Sequence, residues 1–155
     1  MTLGEFGNFY ACLDRPIKTA IVRDLGMPTS YDSEALLLAI VFLLKDLRNA
    51  IAHNAIVLDV RFKSGGASSG IGKLLNSETG VKSINFSDIT DYIVLIAYLL
   101  GLFGFSKTER KALVSGYETI LSRYKKELPP GIYGKFVRTE TAGKLKLVLR
   151  FVAQS

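Results

Sequence analysis

Residues 48 to 53 read Arg-Asn-Ala-Ile-Ala-His, and His53 is the one histidine in the chain. A guanidinium, an amide and an imidazole therefore lie within six residues. The guanidinium is permanently charged and fits phosphate oxygens in a bidentate way. Imidazole titrates near pH ~6.5 and can move protons at neutrality. On a helix, Asn49 and His53 are four residues apart and share a face. Arg48 lies about 100° around, with a side chain long enough to reach back. Together these groups could bind a phosphodiester, move a 2′-hydroxyl proton and stabilise charge on the phosphoryl oxygens. Neither a metal nor a cofactor is called for. Cleavage of RNA by its own 2′-hydroxyl benefits from both a base and an acid, and one histidine supplies one of them. A symmetric dimer with its two-fold axis near this segment would bring two histidines and two arginines together. A homodimer with a composite site is the expectation. The bland alternative is a structural histidine on a helix surface.

Competing chemistry is sparse. Gly66-Ala67-Ser68-Ser69-Gly70-Ile71-Gly72 has the look of a dehydrogenase cofactor loop, but no tyrosine is followed by lysine at the catalytic offset of that family. It also fails as a phosphate-binding P-loop, since Ala67 stands at the first glycine and Leu74 at the Ser/Thr position. It reads as a flexible connection. One His and one Cys make no metal cluster. Cys12 suits a small core position. No nucleophile elbow is present for a serine triad, and Asp88 and Asp91 suit a helix start.

The elements that must position the segment are helical. Thr2 and Glu5 have capping-box spacing, so a first helix starts at Leu3, with Leu3, Phe6, Tyr10 and Leu13 on one face. Pro16 and Gly26 bracket a second, with Ile17, Ala20, Ile21 and Leu25 as its stripe. Asp32 or Ser33 caps a third. Its run Ala35 to Leu44 is nearly all apolar, so it should lie centrally and carry Arg48–His53 near its C-terminal part. No Pro or Gly interrupts it before Val60, although Asn54 could end it. Residues 64–72 read as loop, with a short helical turn at Lys73–Asn76. Ser87 caps a fourth helix over Asp88–Phe103, ended by Gly104. Ser106 and Glu109 form a second capping box for a helix from Lys107 to about Leu128, stopped by Pro129-Pro130. Beyond it, Leu145, Leu147, Leu149 and Phe151 alternate with other residues at period two. Residues 132–138 and 144–151 could pair as a β-hairpin; a frayed helix is the alternative. The aromatics Phe9, Tyr10, Phe42, Tyr92, Tyr98 and Phe103 recur at helical spacing and suit a core.

The chain of 155 residues fits one domain, residues 1–155. Mean hydropathy is high, at +0.26. The longest apolar run, Tyr92 to Phe105, has 14 residues, short of the roughly 20 a membrane span needs. No membrane partner is expected. The N-terminus lacks the pattern of a signal peptide, and one cysteine forms no intrachain disulfide, so a cytoplasmic location is expected. Net charge is +6 and uneven. Residues 105–155 hold 11 Lys/Arg against 4 Asp/Glu, while residues 1–104 hold 9 against 10. A basic third on a near-neutral body suggests a polyanion partner. Arg110, Lys111, Arg123, Lys125 and Lys126 are candidates for RNA phosphate contacts.

Arg48 and His53 with four residues between them resemble the signature of the HEPN superfamily of ribonucleases and nucleotide-binding helical domains. The wider segments MTLGEFGNFYACL, LKDLRNAIAHNAIVLDVRF and FSDITDYIVLIAYLL resemble the Abi-like (AbiD/AbiF type) abortive-infection family, over residues 2–128. The resemblance implies an all-α HEPN-like bundle, dimerisation and metal-independent RNA cleavage in anti-phage defence or a toxin–antitoxin system. It implies that His53 acts as acid and base, that Arg48 stabilises the transition state and that Asn49 assists. Cleavage of this kind leaves a 2′,3′-cyclic phosphate. Members of that family are commonly about twice this length, so the chain corresponds to their C-terminal half. An N-terminal domain and an antitoxin are then further partners. A non-catalytic dimerisation, RNA-binding or nucleotide-binding module is the alternative function.

Overall fold

The computed structural model describes residues 1–28, 32–53 and 67–155. Among them the chain forms eight α-helices and no strand: α1 (Leu3–Cys12), α2 (Arg15–Asp24), α3 (Ser33–Ala52), α4 (Ala67–Thr79), α5 (Ile89–Leu102), α6 (Lys107–Glu127), α7 (Pro130–Phe136) and α8 (Thr141–Gln154). The protein is an all-α helical bundle. None of these helices is long and apolar enough to cross a membrane.

The ends of the helices follow local chemistry. Thr2 and Glu5 close a reciprocal capping box on α1, and Ser106 and Glu109 close another on α6. Hydrogen bonds from the Ser106 hydroxyl and backbone N–H hold the Glu109 carboxyl below its usual range. Asp88 rather than Ser87 caps α5, its carboxylate accepting from the Thr90 N–H at 2.9 Å. Gly26 and Gly104 follow α2 and α5 with φ of +71° and +77°, a region glycine enters without strain.

Burial follows the apolar runs of the sequence, the longest of which lies in α5. α5 is the central one, with nine of its residues buried and α4, α6 and α8 packed around it. α3, expected to lie centrally, packs to one side on α1, α2 and α4. It buries Leu36, Leu37, Ile40, Val41 and Leu47 but leaves Leu38, Phe42, Leu43 and Leu44 half-buried. Tyr10, Tyr92 and Tyr98 are core residues, whereas Phe9 and Phe103 are largely exposed. Leu3 and Ile17 lie on the exposed edges of the first two stripes, where Val22 takes the buried place on α2. Cys12 is exposed at the end of α1, not in the core.

Two secondary-structure expectations are also corrected. The Gly/Ser run is not a loop over its described part, residues 67–72, because α4 begins at Ala67. Ile71, Leu74 and Leu75 are wholly buried at i, i+3 and i+4, and that apolar face outweighs the weak propensity of glycine. The glycines serve close packing. A Cβ on Gly70 would meet Leu36 Cδ2 at 2.9 Å, and one on Gly72 would meet the Ile84 carbonyl oxygen at 2.7 Å. The period-two stretch forms α8, not a hairpin strand. Its buried residues, Thr141, Lys144, Leu145, Val148 and Val152, follow helical spacing, and Leu147, Leu149 and Phe151 are half-buried flanks.

A buried ion pair ties α5 to α8. Lys144 Nζ lies 2.6 Å from Asp91 Oδ1 and also donates to the Ser83 carbonyl at 2.9 Å. Asp91 Oδ2 accepts from the backbone N–H groups of Asn85 and Phe86, at 2.8 and 3.0 Å. These contacts hold the connection before α5, where Ser83 and Phe86 take left-handed φ of 57° and 56°. Such φ is costly for an aromatic residue and persists when the surroundings over-determine it.

Candidate nucleic-acid site at the end of helix α3

The Arg-Asn-His segment occupies the last turn of α3. His53 is the C-cap, with φ −92° and ψ 18°, and its backbone N–H still donates to the Asn49 carbonyl at 3.0 Å. The turn therefore stays wound through His53. Residues 54–66, including Asn54, lie outside the described residues. Arg48 and His53 are exposed and Asn49 is half-buried. Arg48 Nη1 donates to the Asn49 amide oxygen at 3.1 Å. Guanidinium and amide thus stand joined on the surface, one turn before the imidazole. Arg48 and His53 are open to solvent, while the Asn49 amide oxygen is engaged by Arg48.

An apolar groove runs beside them. Leu3 of α1 and Leu44, Leu47, Ile51 and Ala52 of α3 line it together with Arg48. Ile51 is 56 % exposed and Leu3 38 % exposed. Sequence reasoning placed Leu3 and Leu44 on helix faces but passed over Leu47, Ile51 and Ala52. Their signal was the continuation of the apolar pattern of α3 past Leu44 into the Arg–His segment. A cation bordering an uncovered apolar strip suits an interface whose edge carries chemistry.

The cations of α6 occupy a different part of the bundle. α6 packs on α5, α7 and α8. Lys111, Arg123, Lys125 and Lys126 are exposed, and Arg123 pairs with Glu127 at 3.1 Å. Lys111 and Lys125 fall near one face, separated by roughly 21 Å along the helix. Arg110 does not belong with them. It is only 4 % exposed, and its Nε donates to the Ala97 carbonyl at 3.1 Å. Its Nη1 donates to the Ser155 hydroxyl at 2.9 Å, and its guanidinium lies 5.0 Å from the centre of the Phe151 ring. Gly101 makes the room, since a Cβ there would meet Arg110 Cζ at 2.8 Å. Arg110 is a core residue and is unavailable to phosphate. Desolvation lowers its pKa from the usual arginine range.

Among the described residues, no three His, Cys, Asp or Glu side chains gather in a way that could hold a metal ion. No family model matches the chain, nor does any curated protein or solved structure.

Proposed function

We propose that this chain is a metal-independent endoribonuclease of the HEPN abortive-infection type, cleaving RNA at a site shared between two copies. It would serve bacterial anti-phage defence or a toxin–antitoxin system. The observation that carries the reading is the surface at the end of α3, where an exposed Arg48–Asn49 pair and His53 border an uncovered apolar strip. In this reading one His53 imidazole takes the proton from a 2′-hydroxyl. The 2′-oxygen attacks phosphorus, and the bond to the 5′-oxygen breaks. The imidazolium of the second copy's His53 protonates the leaving 5′-oxygen. The products are a 2′,3′-cyclic phosphate and a 5′-hydroxyl. Arg48 offsets charge on the phosphoryl oxygens, with Asn49 fixing its direction. Lys111, Arg123, Lys125 and Lys126 add phosphate contacts outside the site.

The second reading is a helical interaction module, which the apolar strip favours because docking needs no chemistry. Incubation of total RNA with EDTA separates the two. Wild-type protein is expected to cleave. His53→Ala should lower the rate about 10²–10⁴-fold, and Arg48→Ala about 10²–10³-fold. Equal cleavage by all three proteins would point to a contaminating nuclease and end the enzymatic reading. Cleavage by none would favour the interaction module.

A further inference from the structure

Among the described helices, α7 alone buries none of its own residues, and it packs on α6. Leu128 and Pro129 join the two helices with ψ of 144° and 141°, an extended joint. The strap from Tyr133 to Thr139 forms one wall of a cavity of about 560 Å³, and α6 and α8 form the others. That volume lies within the roughly 300–1,000 Å³ of small-molecule sites. The floor is made by the buried side chains of Leu121 and Leu145. The strap adds the half-buried Tyr133 ring and Val137.

One side chain latches the far end of the strap. Arg138 Nε lies 3.2 Å from Asp88 Oδ2, and Nη2 donates to the Ser87 hydroxyl at 2.6 Å. Its Nη1 approaches Glu140 at 4.0 Å. Asp88 Oδ1 meanwhile caps α5 through the Thr90 N–H, so the strap is tied to the start of the central helix. A partly exposed ion pair adds little to a well-packed helix. On a helix with no buried residue, it sets how often the helix lifts away. The same pairing settles the electrostatics of the cleft. Asp88 and Glu140 engage Arg138, and Glu118 stands against Lys125 on α6. An anion finds no surplus of positive charge there, and the apolar lining offers an ion nothing in exchange for its water.

An apolar floor, one ring and mutually engaged charges suit a ligand that is itself uncharged and apolar. We infer that the cleft binds an uncharged, apolar small molecule between the leucine floor and Tyr133, and that residues 130–139 are a strap whose Arg138 latch controls entry. The strap lifts at the Leu128–Pro129 joint when Arg138 leaves Asp88, and it closes over the ligand when the pair re-forms. No residue of α3 lines the cleft, so the inference stands independently of RNA cleavage.

Fluorescence titration of the full chain with N-phenylnaphthylamine, an uncharged probe that brightens in apolar surroundings, tests the site. Its anionic analogue, anilinonaphthalene sulfonate, is a separate arm. One saturable site is expected for the neutral probe, with weaker binding of the sulfonate. Ala142→Trp, at an exposed lining position on α8, and Gly134→Phe, where a Cβ meets open space, should each abolish it by filling the cavity. Both positions lie outside the core, so melting temperatures should stay near wild type. Hydrogen exchange and stopped-flow mixing test the latch. In Arg138→Gln the amides of residues 132–137 should exchange about threefold to tenfold faster, and the neutral probe should enter faster by a similar factor. Exchange in α5 should not change, because the Asp88 cap on Thr90 remains. The site is overturned if the neutral probe does not bind, if the sulfonate binds as tightly, or if binding survives both cavity-filling changes. The strap is overturned if exchange in Arg138→Gln is unchanged, or rises equally in α5, or if probe entry is no faster.

Discussion

Two arginines of this chain show how burial decides what a side chain can do. Arg48 ends in solvent, bonded to its neighbour Asn49, and keeps donors for a ligand. Arg110 has the same chemistry but is enclosed by Ala97, Phe151 and Gly101. Sequence marked both as cations and could not separate them, because the pocket for Arg110 depends on a glycine nine residues earlier on another helix. Tyr117 offers a test at this scale. Burial, its largest cause, pushes the phenol up to about 12, against a smaller lowering by the bond with Thr90. The neutral phenol is the form the fold favours. Its contribution to stability is therefore fully present below the ordinary value of 10.0 and is lost as pH rises towards 12. Buried Tyr92 is shifted in the same direction. Urea midpoints measured at pH 9 and at pH 11.5 should show a marked alkaline loss in wild type. Tyr117→Phe should show a smaller loss, by on the order of 1–2 kcal/mol. An identical loss in the variant would remove Tyr117 as a cause.

At the scale of elements, α4 is held by contacts that no local pattern announces. Its Gly72 lies directly against the Ile84 carbonyl oxygen, in the segment that Asp91 and Lys144 also secure. Gly72→Ala would gain helix propensity on an isolated helix. Here the methyl meets backbone at 2.7 Å, and backbone cannot swing aside. Overpacking of this kind costs about 1–3 kcal/mol. Chemical denaturation of Gly72→Ala should show a net loss of stability; a gain would mean that the 81–88 segment yields freely. Helix ends, by contrast, were legible from sequence. The capping boxes at Thr2–Glu5 and Ser106–Glu109 and the glycines at 26 and 104 act within a few residues, so their spacing carries the information. The α4 and α8 assignments were not legible. Glycine content and period-two alternation are local cues, and the buried faces that overrode them face partners far along the chain.

At the scale of the whole molecule, the uncovered strip on α3 separates a monomer from the dimer proposed above. Ile51 is three residues from Arg48 and is more than half exposed. Ile51→Glu puts a charge into the proposed contact without touching the core. Sedimentation equilibrium should find wild type dimeric and this variant monomeric, with RNA cleavage falling in step. A wild-type monomer that cleaves at full rate would remove the shared site. The +6 net charge belongs to the same scale. Its cations on α6 act on a part of the bundle built apart from the end of α3, so they can raise affinity for a polyanion without defining the point of cleavage.

The sequence by itself determined the all-α class, most helix ends and the presence of Arg48, Asn49 and His53 on one helix. These follow from capping, periodicity and spacing, all of which act over a turn or two. Tertiary structure decided that α5 and not α3 is the centre, that Arg110 is buried, and that Arg48 borders an exposed apolar groove. It also brought Tyr133, Lys125 and Arg138 around one cleft. Those outcomes depend on which face of each helix finds a partner. That choice is made by packing between residues tens of positions apart, where local spacing carries no information.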